Sequence, residues 1–351
     1  MDLTELSIVI PTLNEAETLP LLLDDLARQE KVALQVIIAD GGSSDNTCRI
    51  VDSFFADRRL PGQLLKCAAG RGRQLNCGAQ AAHSEWLLFL HADSRLKDKS
   101  QLLDALMYLK NFASSHGSNK VAGRFALRFE LQKNDYGLGY FFYEAKAVLG
   151  RPGCIHGDQG FLIAKDFFGE AGPFREDLPV MEDTCLAEAV RSKGQWVLLP
   201  GEITTSARRF QLEGLKARQT LNALMMNFLV IGWLDFFKKA PQVYRSQDRT
   251  NRLQLQPFFS LVSDLLKPLP LKQRCDLWLA TGRYVRGQAW QIGWFFDCKN
   301  AFKSGKPHPS TPGPWLQWFD KWFEPMTNHW LGNLLTAVLV RTWFAKRLWL
   351  G

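Results

Sequence analysis

Short apolar runs alternate with stretches of helical period through the first half of the chain, and no other feature constrains its fold as much. Residues 7–10 (SIVI), 36–39, 64–67 and the fully apolar 86–90 (WLLFL) are strand-sized, while 45–55 and 101–112 carry helical patterns. Asn14, with Glu17 three residues later, is placed to cap a helix reaching Arg28. Two parallel strands need a connection long enough for a helix, so this alternation predicts an α/β fold with a sheet built from βα units. Further strands are expected at 121–131, 161–164 and 196–199, and a helix at 182–192. From Leu215 the pattern turns helical, which divides the chain into an α/β domain over 1–215 and an α-helical C-terminal extension over 216–351, with a linker near 307–314 (PHPSTPGP). The apolar stretch 221–237 holds Asn222, Asn227 and Asp235, and so reads as a packed or surface-lying helix rather than a spanning one.

Composition separates the two parts. With 46% hydrophobic and 22% charged residues, the chain of 351 residues is a folded protein. The seven cysteines are odd in number and contain no Cys-x-x-Cys pair, which argues against a disulfide framework or a zinc site and for reduced cytosolic thiols. Asp2 and Glu5 stand where a secretory signal would carry bases, so a cytoplasmic protein is expected. Beyond residue 240 there are 15 bases against 6 acids, a balance of +9 within a total of +8, so the first 240 residues carry −1. Nine of the twelve tryptophans also lie beyond 240. Trp315, Trp318, Phe319, Trp322 and Phe323 follow the i, i+3, i+4, i+7, i+8 spacing of one helix face, with Lys and Arg interleaved. Tryptophan and clustered bases suit the anionic surface of a bilayer, so the extension is expected to hold the protein peripherally on the inner face of the cell membrane. Packing of that face within the protein is the ordinary alternative. Nucleic acid is a poor partner for it, because the first half supplies no RNA or DNA module.

In an open α/β sheet, ligands bind outside the carboxyl ends of the strands, and three of those ends carry acids: Asp40, Asp93, and the pair Glu182 and Asp183 that opens a later helix. Taken singly, an Asp after a strand also reads as a helix N-cap, and an acidic pair as a partner of the helix dipole. Taken together, the blocks SIVIPTLNEAETLP, VIIADGGSSDNT, GRGRQLNCGA, WLLFLHADS, GDQGFLIAKDFF, MEDTCLAEAVRSKG and TTSARRF are far more specific. Over residues 6–215 the chain resembles the family 2 glycosyltransferases of GT-A fold, which implies a Rossmann-like, mixed, mostly parallel sheet with helices on both faces, and within them the small bacterial branch described as selenodomain-associated or arsenosugar-biosynthesis-type.

That resemblance implies an inverting, metal-dependent hexosyltransferase acting on a nucleotide-diphosphate sugar, a UDP-sugar first of all. It assigns the donor to Pro11, Asn14, Glu15, Asp40, Arg71, Arg73, Asp93, Arg208 and Arg209, with Asp40 accepting from a uracil-type N–H and the arginines facing the diphosphate. Asp183 is the implied general base, and Glu182 positions the acceptor or tunes it. Asp158 and Gln159 would grip sugar hydroxyls. His91-Ala92-Asp93 stands where the family carries its Asp-x-Asp motif, so Asp93 is the implied ligand of Mg²⁺ or Mn²⁺, while His91 replaces an acid. The acceptor is expected to be lipid-linked or membrane-proximal; a small-molecule acceptor and an inactive nucleotide-sugar-binding module are the rivals. Gly70-Arg71-Gly72-Arg73-Gln74-Leu75 is not G-x-G-x-x-G and does not open the first βα unit, which disfavours a dinucleotide site.

Overall fold

The alternating runs become strands of one eight-stranded sheet in the computed structural model, which describes residues 5–57, 60–132, 134–247 and 252–350. Asp2, Asp248 and Arg249, which entered the charge reading above, lie outside the described residues. The chain divides into two compact units, Met1–Gln132 with Lys146–Ser206, and Lys133–Ala145 with Ala207–Gly351.

The first unit runs β1 (Leu6–Thr12), α1 (Leu19–Ala27), β2 (Leu34–Asp40), α2 (Thr47–Ala56), β3 (Gly62–Lys66), α3 (Arg71–Ala81), β4 (Trp86–Phe89), β5 (Arg95–Leu96), α4 (Gln101–Ser115) and β6 (Val121–Glu130). Helix α5 (Leu138–Val148) crosses from one unit to the other, and β7 (Phe161–Ala164), α6 (Lys165–Ala171), α7 (Glu182–Lys193) and β8 (Gln195–Ser206) complete the first. The strand order is β3-β2-β1-β4-β7-β6-β8-β5. Strands β3 to β4 are parallel, β7 is antiparallel to both neighbours, β6 and β8 are parallel, and β5 closes the edge antiparallel. This is the mixed, mostly parallel sheet that the sequence predicts.

Strand alternation feeds two cores. Leu6, Ile8 and Ile10 of β1, Val36 and Ile38 of β2, and Leu88 of β4 point to one face, covered by Leu22 and Leu26 of α1, Val51 of α2 and Leu106 of α4. Val9, Ile37, Leu87 and Phe89 point to the other, against Leu75 of α3, Phe167 of α6 and Leu186 of α7. Helix α3 lies close on β1 because residue 78 is glycine: a Cβ there would stand 2.3 Å from Val9 Cγ1.

Two boundaries depart from the sequence reading. Pro11 and Thr12 belong to β1, since they stay in register with Ala39 and Asp40. Strand β8 runs past Pro200-Gly201, where the pattern suggested an end; Gly201 at φ +88° absorbs a bulge opposite residues 124–126 and pairing resumes at Glu202.

The second unit is helical: α8 (Arg208–Glu213), α9 (Leu215–Val230), α10 (Asp235–Arg245), α11 (Gln256–Leu266), α12 (Leu271–Gly287), α13 (Trp290–Lys303), α14 (Pro314–Trp318), a π-helical turn (Phe319–Phe323), α15 (Glu324–Thr327) and α16 (Trp330–Leu350). Gly282 lets α12 and α16 touch, since a Cβ there would meet Asn333 O at 2.5 Å. Buried Asp297 accepts the Trp315 and Leu316 amides at 3.0 and 2.9 Å, satisfying the start of α14. The stretch 221–237 is two helices joined by a turn, with Leu221, Met225 and Phe228 buried. Among the described residues no helix is long and apolar enough to cross a membrane. The aromatic face at 315–323 is not one stripe: Phe319 is buried beside Leu316, whereas Trp315, Trp318, Trp322 and Phe323 are exposed. Leu316 and Phe319 share the inward side at an i, i+3 spacing, and the π turn begins at Phe319.

Candidate functional site

Chain order takes β1 to β2 and β3 on one side, then returns to lay β4 on the other side of β1, leaving a crevice at the carboxyl ends of β1 and β4. The loops after β1, β2 and β4 gather there.

The first two are laced together. Asn14, with a left-handed backbone at φ 59°, accepts the Ser44 amide through Oδ1 at 2.8 Å and the Asp45 amide at 3.3 Å, while its own N–H donates to Ser43 Oγ at 2.8 Å. It therefore does not cap α1, whose N-cap is Thr18; the Thr18 hydroxyl donates to Glu15 at 2.7 Å. The Glu15 amide donates to Thr47 Oγ1 at 2.8 Å. Register sets Thr12 beside Asp40, whose carboxylate accepts the hydroxyls of Thr12 and Ser43 and the amides of Gly42 and Ser43 at 2.9 Å. Burial would raise the Asp40 carboxyl, but the Ser43, Gly42 and Thr12 donors outweigh it and keep it below the ordinary value. Asp40 is thus a buried turn-former whose oxygens accept from Thr12, Gly42 and Ser43.

The third loop and the α7 terminus form the second part of the site. Met181 at φ 70° turns the chain into α7; Asn14 and Met181 are two of the three non-glycine residues with positive φ among the described residues. Glu182 is 1% exposed, and its Oε1 lies 3.4 Å from the Arg71 guanidinium at the start of α3. Asp183 Oδ2 accepts the Gly157 amide at 2.7 Å and Oδ1 the Thr184 amide at 2.8 Å. Residue 157 must be small: a Cβ there would stand 3.0 Å from His91 Nε2 and 3.1 Å from Asp183 Cβ. Asp93 accepts the Thr205 hydroxyl at 3.2 Å.

These neighbours split the proton affinities of the acidic pair. Burial lifts Glu182 above the ordinary carboxyl value, with Arg71 opposing and Asp183 adding to the rise. Burial also works to raise Asp183, yet His156, the Gly157 N–H, Arg71 and His91 hold it below that value. His156 is itself lowered to about 4 by burial, so its ring is neutral near pH 7, and the Gly157 N–H, Arg71 and His91 are the other groups that lower Asp183. Asp158 is raised to about 7 by burial and by the charges of Asp183 and Asp93, and its Oδ1 lacks a hydrogen-bond partner.

The other residues singled out along the chain are dispersed. Gln159 is fully buried, accepting from Arg124 at 3.0 Å and donating to the Cys154 carbonyl at 2.8 Å, so both ends of its amide are engaged within the protein. Arg73 is exposed, 3.9 Å from Glu176, about 200° around α3 from Arg71. Arg208 and Arg209 are exposed at the start of α8 in the second unit. Sequence reasoning did not single out Thr205, His156 or Gly157 as neighbours of these acids; the only hint was the density of polar residues and glycine in IHGDQG.

Among the described residues no group of three or more His, Cys, Asp or Glu side chains is placed to hold a metal ion. The donor set fits a divalent cation that takes few ligands from the protein: Asp93 offers a carboxylate, and Asp158 Oδ1 is buried without a hydrogen-bond partner.

The site thus combines a crevice at a switch point, two laced loops and an acidic pair with divergent proton affinities. Residues 7–167 match the model of Glycosyl transferase family 2. The chain is 31% identical over 180 residues to a PGL/p-HBAD biosynthesis glycosyltransferase of Mycobacterium tuberculosis, covering 50% of this chain and 66% of that protein. It is 30% identical over 106 residues to the poly(ribitol-phosphate) beta-N-acetylglucosaminyltransferase TarS of Staphylococcus aureus, covering 29% and 18%. Similar solved structures are S. aureus TarS 1-349 in complex with UDP (TM-score 0.48, 18% identity, 86% of this chain and 92% of that chain) and the mannosyltransferase PcManGT from Pyrobaculum calidifontis in complex with GDP-Man and Mn²⁺ (TM-score 0.49, 17% identity, 98% and 87%).

Proposed function

We propose that the chain is an inverting glycosyltransferase that moves a hexosyl group from a nucleotide-diphosphate donor, a UDP-sugar first of all, to a hydroxyl of a lipid-linked or membrane-proximal acceptor. The observation that carries the chemistry is the divergence within the acidic pair: Asp183 stays ionised and retains lone pairs beyond its two amide bonds, as a base needs, while Glu182 beside it holds its proton more tightly. Asp183 takes the proton of the acceptor hydroxyl as its oxygen bonds to the anomeric carbon; the bond from that carbon to the diphosphate oxygen breaks, and the nucleoside diphosphate leaves on the opposite face. Arg71, facing Glu182, Asp183 and Asp93, puts positive charge beside the leaving group. The loops of Asn14, Glu15 and Asp40 form the nucleoside side of the crevice. A divalent cation held by Asp93 would neutralise the diphosphate when bound.

Support for the membrane part comes from the second unit, where Trp330 and Trp349 are 74% and 85% exposed and Trp318 and Trp322 about half exposed, in a region of charge +9. A peripheral position on the inner face of the cell membrane fits that surface. Incubation with UDP-glucose, UDP-galactose, UDP-N-acetylglucosamine and GDP-mannose, with and without Mn²⁺, is expected to give donor turnover with at least one UDP-sugar. Binding without turnover would favour the inactive module suggested by His91, and neither binding nor turnover would reject the reading.

A further inference from the structure

Helices α9, α11, α12 and α16 surround an apolar cavity with an open mouth within the second unit. Aromatic rings make much of the wall: Trp233, Trp278, Trp343 and Phe344 line it, and the Trp278 and Phe344 rings are braced 5.4 Å apart. Asn227 and Thr281 are the two polar residues in this lining, and no charged side chain belongs to it.

Asn227 is 5% exposed. Its amide nitrogen donates to Thr281 Oγ1 at 3.2 Å, and its Oδ1 has no partner. A buried polar atom left unpaired costs roughly 1–3 kcal/mol, and packing alone would favour leucine at this place on α9, among Leu224, Phe228 and Ile231. The chemistry of the cavity is therefore selective: apolar surface on all sides, one acceptor, and nothing to neutralise a charge. A phosphate or an ammonium group would enter unpaired, whereas a neutral donor would complete Asn227.

We infer that this cavity binds the single apolar chain of a hydroxylated, uncharged lipid, with the chain against the aromatic wall and its O–H donating to Asn227 Oδ1. The site belongs to the helical unit alone and does not depend on the transfer chemistry proposed for the first unit, so either can fail without the other.

The probes are 1-octanol and octyl methyl ether, which share the chain and differ in the O–H donor. Calorimetric titration of the full chain is expected to saturate with the alcohol near one equivalent, and the ether to bind about tenfold more weakly, the size of one net hydrogen bond. Asn227→Leu is expected to bring the two probes to equal affinity, and Leu224→Trp, which fills the cavity, to abolish saturation by both; circular dichroism verifies that each variant is folded. Should either variant fail to fold, the alcohol and ether comparison on the native chain decides alone. Absence of saturable alcohol binding, equal affinity of the native chain for both probes, or an unchanged titration in folded Leu224→Trp would overturn the inference.

Discussion

Asp183 and Asp158 make opposite demands on protons, and each can be tested singly. If Asp183 is the base, Asp183→Asn should lower transfer at least about 10²-fold while donor affinity changes only a few-fold, because the base acts on the acceptor. Single-turnover rates beside equilibrium donor binding measure the two separately, and loss of binding with the rate retained would contradict the assignment. Gly157→Ala should reduce the rate on the order of tenfold or more without unfolding the chain, since the added methyl presses on both His91 and Asp183. Asp158 differs in sign. Its carboxyl is raised in the fold to about 7 from an ordinary value of 3.8, so folding takes up a proton between those values. Its contribution to stability is present below about pH 4 and is lost as pH rises through about 7. Asp158→Asn is therefore expected to raise the melting temperature more at about pH 8 than at about pH 5, in the absence of donor and metal; an equal shift at both would show that the unpaired charge is not what matters.

Helix α1 is fastened to the edge strand β5 by a buried ion pair. Asp25 is 1% exposed and accepts from Arg95 Nε at 2.6 Å and from the Leu96 amide at 3.1 Å, with Arg28 beside it. Burial would raise this carboxyl, but Arg95, the Leu96 amide and Arg28 hold it below the ordinary value. A depressed carboxyl contributes stability above its unfolded value of about 4, lost as pH falls through the lower folded one. Asp25→Ala leaves Arg95 without its partner and is expected to cost about 3–5 kcal/mol in denaturant unfolding at neutral pH, the cost shrinking as acid is approached. In the helical unit the corresponding fastening is steric. Gly282→Leu has no room against Asn333 and Ala337 and is expected to part α12 from α16, seen as lost protection of their amides from hydrogen exchange.

For the molecule as a whole, the uneven charge predicts a salt-sensitive attachment. Each base near an anionic surface contributes about 1 kcal/mol, so four or five facing one way outweigh the cost of immobilising the protein there. Co-sedimentation with anionic liposomes should recover the chain in the pellet at low salt and release it at high salt; equal recovery in the supernatant with and without liposomes would remove the membrane reading and favour a small-molecule acceptor.

The α/β order, the strands near 7–10, 36–39, 86–90 and 161–164, and the acids at their ends were legible along the chain, because period-2 burial and strand-end chemistry are local properties. Glu182 and Asp183 could be picked out as a helix-opening pair for the same reason. Their divergence was not legible: it depends on the Gly157 amide, 26 residues away in the chain, and on Arg71, brought across by the packing of α3. Asp40 and Gln159 looked equally available as bare residue types, yet one closes its own turn and the other is sealed between Arg124 and Cys154. Likewise, α9 shows in its sequence only an asparagine among apolar residues; that the asparagine faces a cavity follows from how α11, α12 and α16 close around it. Local spacing specifies which groups a chain can offer at a strand end or helix face, but proton affinity, exposure and empty space are set by atoms distant in sequence, and those are assigned only when the elements pack.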